Sequence, residues 1–581
     1  MMNKRSALTG FLAVVLTGAA LHAQNQSYDQ FAPKPVPPAP LSAAEGPVAN
    51  TNVAGSSDEI LLPVLRGLVF VGQPEEVEAR KAKTTPGIAF AAGLIVPAAS
   101  AFRDLAAPYV GQPLTRGRLN TLITAIIVHY RTHDRPVVDV IVPEQDIAGG
   151  VVQILLLESR VGAVTVTGNR WFSDREIRGY FHVQPGNQIS AATMRADLEW
   201  ANQNPFHTSD VVYQPGAAVG TTDIVLQTQD RFPVRVYAGY EDSGNTQTGF
   251  DRYLAGFNWG DAWHAGLGQQ LNYQYTTSAD LRGLEAHSAS YVIPLPWHHT
   301  LTLFGNYVTT QGQVPPYISL AGRSYQLSGR YTIPLRAIGD YKHTFGVGFD
   351  FRYNHNSLQF GDIPLTSIPV VVRQFVLTYD ASLRDQRGVT SLSAQGYLSP
   401  GDWGSHNDDG TFGGSHTYAT SKYDYVNLTL SRLTRLPHEW SLFLRGMLQV
   451  SDGNLVPSEQ FGLGGYDTVR GYDEREVNRD EGYLYNVELR TPVMNLGSKL
   501  GLKKTSDQLQ FLVFWEGGEG HNHTLLPNEP ARTQLESVGG GLRYTIKTNL
   551  SIRADYGFQL KKSQIDQNHG HRGDLGVVLS Y

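Results

Sequence analysis

Leu550-Ser551-Ile552-Arg553-Ala554-Asp555-Tyr556-Gly557-Phe558-Gln559-Leu560 alternates with a period of two. Leu550, Ile552, Ala554, Tyr556, Phe558 and Leu560 fall on one side, and Ser551, Arg553, Asp555 and Gln559 on the other. Such alternation places successive side chains on opposite faces of a β-strand. It returns in Phe345, Val347, Phe349, Phe351 and Tyr353 against Asp350 and Arg352, and in Tyr483, Tyr485, Val487 and Leu489 against Asn486, Glu488 and Arg490. A soluble sandwich would turn the apolar side inward. Here the polar side carries both charge signs in strand after strand, so apolar toward lipid and polar toward a wet lumen is the economical solution. Leu575, Val577, Leu579 and Tyr581 alternate too, and read as the strand that closes a barrel. At roughly 9 to 11 residues per strand plus turns, residues 232–581 hold about sixteen strands. The expected fold class is therefore mainly β, with a transmembrane antiparallel barrel at the C-terminal side. Leu295-Pro296-Trp297-His298-His299 and Pro334-Leu335-Arg336 read as short periplasmic turns, and Gly401 to Tyr418 as an extracellular loop.

Upstream, Lys4-Arg5 precedes an apolar run from Ala7 to Ala20 and a small residue at Ala23, so residues 1–23 read as a signal peptide. Residues 24–57, with Pro33, Pro35, Pro37, Pro38 and Pro40, read as a proline-rich linker. The longest later apolar run, Gly87 to Val96, is too short for a membrane helix, leaving a closed barrel as the way to satisfy backbone groups in hydrocarbon. Residues 58–158 then give a strand, helices and two strands. Leu119, Leu122, Ile123, Ile126 and Ile127 recur at helical spacing behind Thr115, and Val137 to Val142 and Val151 to Leu157 flank a Gly149-Gly150 turn. Gly72 to Pro97 is left as a long connection, an insertion or an irregular helix. Residues 159–231 repeat the order, with a capping box at Ser173-Asp174-Arg175-Glu176.

Bulk properties narrow the function. Charged residues are 17% of 581, net charge is -6, and no extended basic run suggests nucleic acid. Zero cysteines exclude disulfides and thiolate metal sites and fit export through an oxidising compartment. The pairs His521 and His523, His569 and His571, and His298-His299 have no carboxylate or cysteine at site spacing, so no metal or cofactor is expected. No nucleophile elbow or paired-carboxylate motif is present, and no enzyme is expected.

One loop stands apart. In Phe461-Gly462-Leu463-Gly464-Gly465-Tyr466-Asp467-Thr468-Val469-Arg470-Gly471-Tyr472, glycines free the backbone ahead of a single arginine set between Val469 and a Gly-Tyr pair. Such a loop can fold back and press one cation against a wall. Preceded by Ser458-Glu459-Gln460, it resembles the lid loop of outer-membrane two-partner secretion transporters, the haemolysin secretion/activation (TpsB) family. Phe514-Trp515-Glu516-Gly517-Gly518 is similar to the family's Phe-x-Asp-x-Gly motif, with glutamate for aspartate, and Asp242-Ser243-Gly244 and Thr248-Gly249 also look like the family.

The resemblance implies two periplasmic POTRA modules (58–158 and 159–231), a barrel over 232–581 in the outer membrane, and a lid loop over 461–482. It also implies that Gly462, Gly464, Gly465, Val469, Arg470, Gly471 and Tyr472 meet an inner-wall partner formed by Phe514, Glu516 and Gly518. It further implies ATP-independent export of one large, unfolded, β-helical partner, and insertion of the barrel itself by the barrel-assembly machinery. Cargo would dock by strand addition in the groove between the Leu119 to Ile127 helix and the Val137 to Val142 strand, with Leu119, Ile126, Val137, Val140 and Val142 as recognition residues. A barrel-assembly insertase and a passive porin or receptor remain as alternatives.

Overall fold

The computed structural model describes residues 28–37, 59–78 and 85–581, apart from 247, 265, 315–317, 361–362, 500–505, 528 and 563–569. The signal-peptide reading of residues 1–23, and His569, lie outside the described residues. The chain forms two compact units: one spans Pro38–Phe232, the other Pro233–Tyr581 together with the segment ending at Pro37.

The first unit holds two α+β modules. In the first, Gly87–Phe90, Gly67–Val71, Val151–Glu158 and Val138–Ile141 lie in that order across a four-stranded sheet. Helix Arg116–Thr132 starts where the Thr115 hydroxyl accepts the Arg118 N–H at 3.2 Å, a cap worth about 1 kcal/mol. It turns Leu122, Ile126 and Tyr130 onto Phe70, Ile154 and Leu156 of the sheet. Gly87–Phe90, left above in a long connection, is a strand in parallel pairing with Gly67–Val71. Four residues with glycine and alanine among them carry too little alternation to announce a strand. In the second module, Arg160–Thr167, Thr221–Asp230 and His207–Pro215 form a three-stranded sheet beside helices Asp174–Gly179 and Ala191–Ala201. Ser173 and Ser190 cap those helices through the Glu176 and Thr193 N–H groups. Asp134 of the first module ties the two together, accepting from the Ser190 hydroxyl (2.6 Å) and the Ala192 N–H (2.7 Å).

The second unit is a closed antiparallel barrel of sixteen strands, running from Val234–Glu241 to His571–Ser580, which pair with each other from Tyr237↔Ser580 to Glu241↔Gly576. Alternation sorts its faces as lipid and lumen require. Leu327, Val513, Trp515 and Phe558 are exposed on the outside, whereas Asp350, Gln374, Glu516 and Asp555 are buried within. Residues 295–299 and 335–340 form short turns, and the 401–418 loop carries a helix, Asp409–Ser415, whose Phe412 is buried in a cluster with Val370, Val372 and Tyr423.

Part of the proline-rich stretch is not a free spacer. Tyr28–Phe31 is one helical turn, with Tyr28 tilted on Phe304 at 4.7 Å and Phe31 in a cluster with Leu284, Ala286 and Val308. Beyond it, the Lys34 ammonium pairs with Glu241 at 2.6 Å, and Arg235 and Asn258 donate to the Lys34 carbonyl. Proline holds this short run extended, so the wall can bind its backbone at little entropic cost.

Candidate functional site

Between barrel strands Ser441–Ser451 and Glu481–Arg490 the chain turns back into the lumen as a hairpin, Phe461–Leu463 paired with Val477–Arg479. Phe461, Leu463, Val469, Tyr472 and Val477 are buried against Leu484 and Leu535 of the wall. Gly464 and Gly465 take φ of 99° and 104°, and Gly471 takes 94°, values that cost an L-residue with a Cβ. Gly471 also has no room. A Cβ there would lie 3.1 Å from the Gly557 backbone, and one on Gly557 only 2.7 Å from the Gly471 nitrogen. The lid thus seats backbone against backbone, glycine on glycine. Leu463 lies where a side chain on Gly518 would stand, 2.8 Å from such a Cβ, and the Arg475 guanidinium fills the space beside Gly462.

At the tip, Arg470 is clamped. Its Nε donates to both oxygens of Glu516 at 3.1 Å, its Nη2 reaches Glu516 and also Glu488 at 2.6 Å, and its Nη1 meets Asp555 at 3.1 Å. The Arg470 backbone N–H adds a further bond to Glu516 at 2.9 Å, and the guanidinium lies 3.7 Å over the Phe514 ring. A planar fork with five donors is the side chain that can serve three carboxylates and a ring face together. All four charged groups are buried, with side-chain exposures of 3% for Arg470, 2% for Glu516, 9% for Glu488 and 0% for Asp555. Glu488 is shared with Arg490, and Asp555 with Arg543 and Arg553. Tyr472 sets its hydroxyl among the Glu536 N–H and the carbonyls of Glu536 and Lys561.

Sequence reasoning paired Arg470 with Glu516 and left out Glu488 and Asp555. Both fall on polar, lumen-facing positions of strands quoted above, but their convergence needs the register that aligns Asn486 with Glu516 and Gly541 with Asp555. The lid is fastened elsewhere too. At its root, Glu459 accepts from Arg352 (2.8 and 2.9 Å), Gln374 (2.9 Å) and Tyr425 (2.8 Å). Near its far side, Arg572 of the last strand binds Asp473, and reaches Asp242 and the Gly244 carbonyl beside the first strand.

A haemolysin secretion/activation family model, ShlB/FhaC/HecB, matches residues 220–543, which contain this hairpin and its Glu516 wall. The chain belongs to that family. A ShlB-type POTRA domain model matches residues 87–159. Among curated relatives of the family, the heme/hemopexin transporter protein HuxB of Haemophilus influenzae is 22% identical over 497 residues, 81% of this chain and 82% of that protein. The outer membrane transporter CdiB of Escherichia coli is 23% identical over 396 residues, 66% of this chain and 65% of that one. CdiB from Escherichia coli has the same fold, with a TM-score of 0.70 at 18% identity over 99% of this chain and 98% of that one. CdiB from Acinetobacter baumannii follows at 0.62 and 16% identity, over 95% of each chain. As a family member, the chain is a two-partner secretion transporter of the outer membrane with its POTRA modules in the periplasm.

The cargo residues expected in the first POTRA module sit differently from an open groove. Ile126 has no exposed surface, and Leu119, Val140 and Val142 pack on the same core. Helix and strand are thus already in contact through these side chains. Val137, half-buried, precedes Val138–Ile141, one of the sheet's two edge strands with Gly87–Phe90, on which Asp139 and Ile141 are exposed.

Proposed function

We propose that this transporter exports one large secreted partner as an unfolded chain that becomes β-helical outside the cell, without ATP. The observation that carries this reading is the lid: a passive pore has no use for a hairpin pinned in its lumen by an arginine shared among three carboxylates. A pore that must admit one polypeptide and nothing else needs an element that stays seated at rest. Recognition falls to the first POTRA module, where the Val138–Ile141 edge presents unpaired backbone groups to an extended segment and alternate side chains select it. Folding of the emerged segment prevents its return, so no nucleotide is required. The barrel enters the membrane through the barrel-assembly machinery, as closed barrels with long-range strand pairing are slow to form unaided.

Deleting residues 58–158 tests the assignment. The truncated barrel is expected to insert and to keep the gel shift between unheated and heated samples, while export of a large secreted partner produced in the same cells stops. Normal export by the truncated chain would place recognition elsewhere.

A further inference from the structure

Beneath the lid lies a cavity of about 230 Å³ whose lining includes five arginines, Arg445, Arg470, Arg490, Arg543 and Arg553, and three carboxylates, Asp467, Glu488 and Glu516. Most of these charges are spoken for. Arg490 binds Glu488 at 2.5 Å, Arg553 binds Asp467 at 2.6 Å, and Arg543 binds Asp555 behind the lining at 2.9 Å. Arg445 differs. Its Nε donates to the Asn486 side-chain oxygen at 2.6 Å and its Nη2 to the Asp467 carbonyl, both neutral acceptors, and among the described residues it makes no ion pair. A half-buried guanidinium with neutral partners, in a cavity where cations outnumber anions, is a seat for an incoming anion.

Position makes the seat specific. Arg445 lies in Ser441–Ser451, Arg490 ends Glu481–Arg490, and Arg553 lies in the first half of Leu550–Gln559, all toward the barrel end where the first strand begins. A chain that reaches this cavity from there meets Arg445 on the same row as the clamp, since Arg445 pairs with Asn486 and Asn486 with Glu516. The volume takes one carboxylate side chain and several waters, at about 30 Å³ per water. Stacking preorganises the guanidinium planes, Arg490 on Phe443 at 4.8 Å and Arg553 on Tyr466 at 3.6 Å, while their N–H edges hold Glu488 and Asp467.

We infer that this cavity is a way-station for an Asp or Glu side chain of the polypeptide in transit, held by Arg445 and shared with Arg470. The inference rests on the secretion reading for the identity of the polypeptide. A cargo carboxylate at this point competes with the wall carboxylates for the Arg470 fork, while Arg445 supplies the cation that the added charge requires. Arrival of cargo then loosens the lid.

The test is equilibrium binding of dye-labelled peptides to the purified full-length chain in detergent, read by fluorescence anisotropy. One peptide is an extended twelve-residue segment with Glu at alternate positions, the other its Gln counterpart. Wild type is expected to prefer the Glu peptide by about tenfold or more, the ratio that one charge-assisted hydrogen bond supplies, and salt should erode the preference. Arg445→Gln should bring the two peptides to within about twofold, and Arg445→Lys should retain part of the preference because charge stays while the fork is lost. Both variants should keep the unheated gel mobility of a closed barrel. Equal binding of the two peptides by wild type would overturn the inference, as would an unchanged Glu preference in Arg445→Gln. Binding is read without export, so a chain that shows the Arg445-dependent preference yet exports nothing counts against the secretion reading alone.

Discussion

Removing the Arg470 side chain unbalances the lid in a way the structure lets one apportion. After Arg470→Ala, Glu488 still has Arg490, and Asp555 still has Arg543 and Arg553. Among the described residues Glu516 keeps only the Arg470 backbone N–H, so one buried carboxylate is stranded. Taking one partner from a buried pair costs about 3–5 kcal/mol, which shifts the seated–unseated equilibrium by roughly 10²-fold to several thousandfold. Glu516→Gln is milder, because Arg470 retains Glu488 and Asp555, and should cost about 1–2 kcal/mol. The double variant should then be better than Arg470→Ala alone, since the stranded charge is gone. Charge reversal, Arg470→Glu with Glu516→Arg, attractive for an isolated pair, would set a glutamate against Glu488 and Asp555 and should rescue nothing. Seating can be read from a Val469→Cys reporter, since the natural chain has no cysteine and Val469 is fully buried. Maleimide labelling of the reporter should be slow in the parent, roughly 10²-fold faster with Arg470→Ala, and intermediate in the double variant. Equal labelling in parent and Arg470→Ala, or additive effects of Arg470→Ala and Glu516→Gln, would refute the clamp.

Three further outcomes are expected. Gly471→Ala meets both a φ of 94° and the Gly557 backbone at 3.1 Å, so it should raise Val469→Cys labelling as Arg470→Ala does, with the barrel still closed; wild-type labelling would contradict the backbone seat. Glu459→Gln removes the charge that Arg352 holds at 2.8 Å and should cost the lid root about 1.5–3 kcal/mol, visible as faster exchange of the Phe461–Leu463 amides and absent if the root is held otherwise. In the second POTRA module His207 is buried beside Phe172 (4.8 Å) and Tyr180 (5.3 Å), neither ring nitrogen has a hydrogen-bond partner among the described residues, and burial pushes its pKa down to about 4. Above the ordinary value near 6.5 it is neutral folded and unfolded. As pH falls from there toward 4 only the unfolded chain takes the proton, so the module should lose up to about 3 kcal/mol. Exchange protection of Thr221–Asp230 in the full chain should fall over that window, and His207→Phe should flatten the dependence; an identical pH profile in His207→Phe would assign the loss to other groups.

Strand alternation was enough to mark the barrel and which faces meet lipid, because side-chain direction in a strand depends only on parity, and the length of residues 232–581 set its strand number. The glycines and the lone arginine of 461–472 marked the lid for a similar reason: positive φ and close approach demand glycine wherever they occur. Helix caps at Thr115 and Ser173 were legible too, being local bonds. Convergence was not legible. Glu488, Glu516 and Asp555 sit on three strands whose register is fixed by turns and by the closure of the sheet, so their meeting at Arg470 is a tertiary fact. Tyr28–Pro37 packing on the lumen wall, Gly87–Phe90 joining a sheet, and Ile126 buried in a core rather than lining a groove were likewise decided by packing. Each of those segments is too short or too uniform for periodicity to speak, and its place is set by the surface it covers rather than by its own residues.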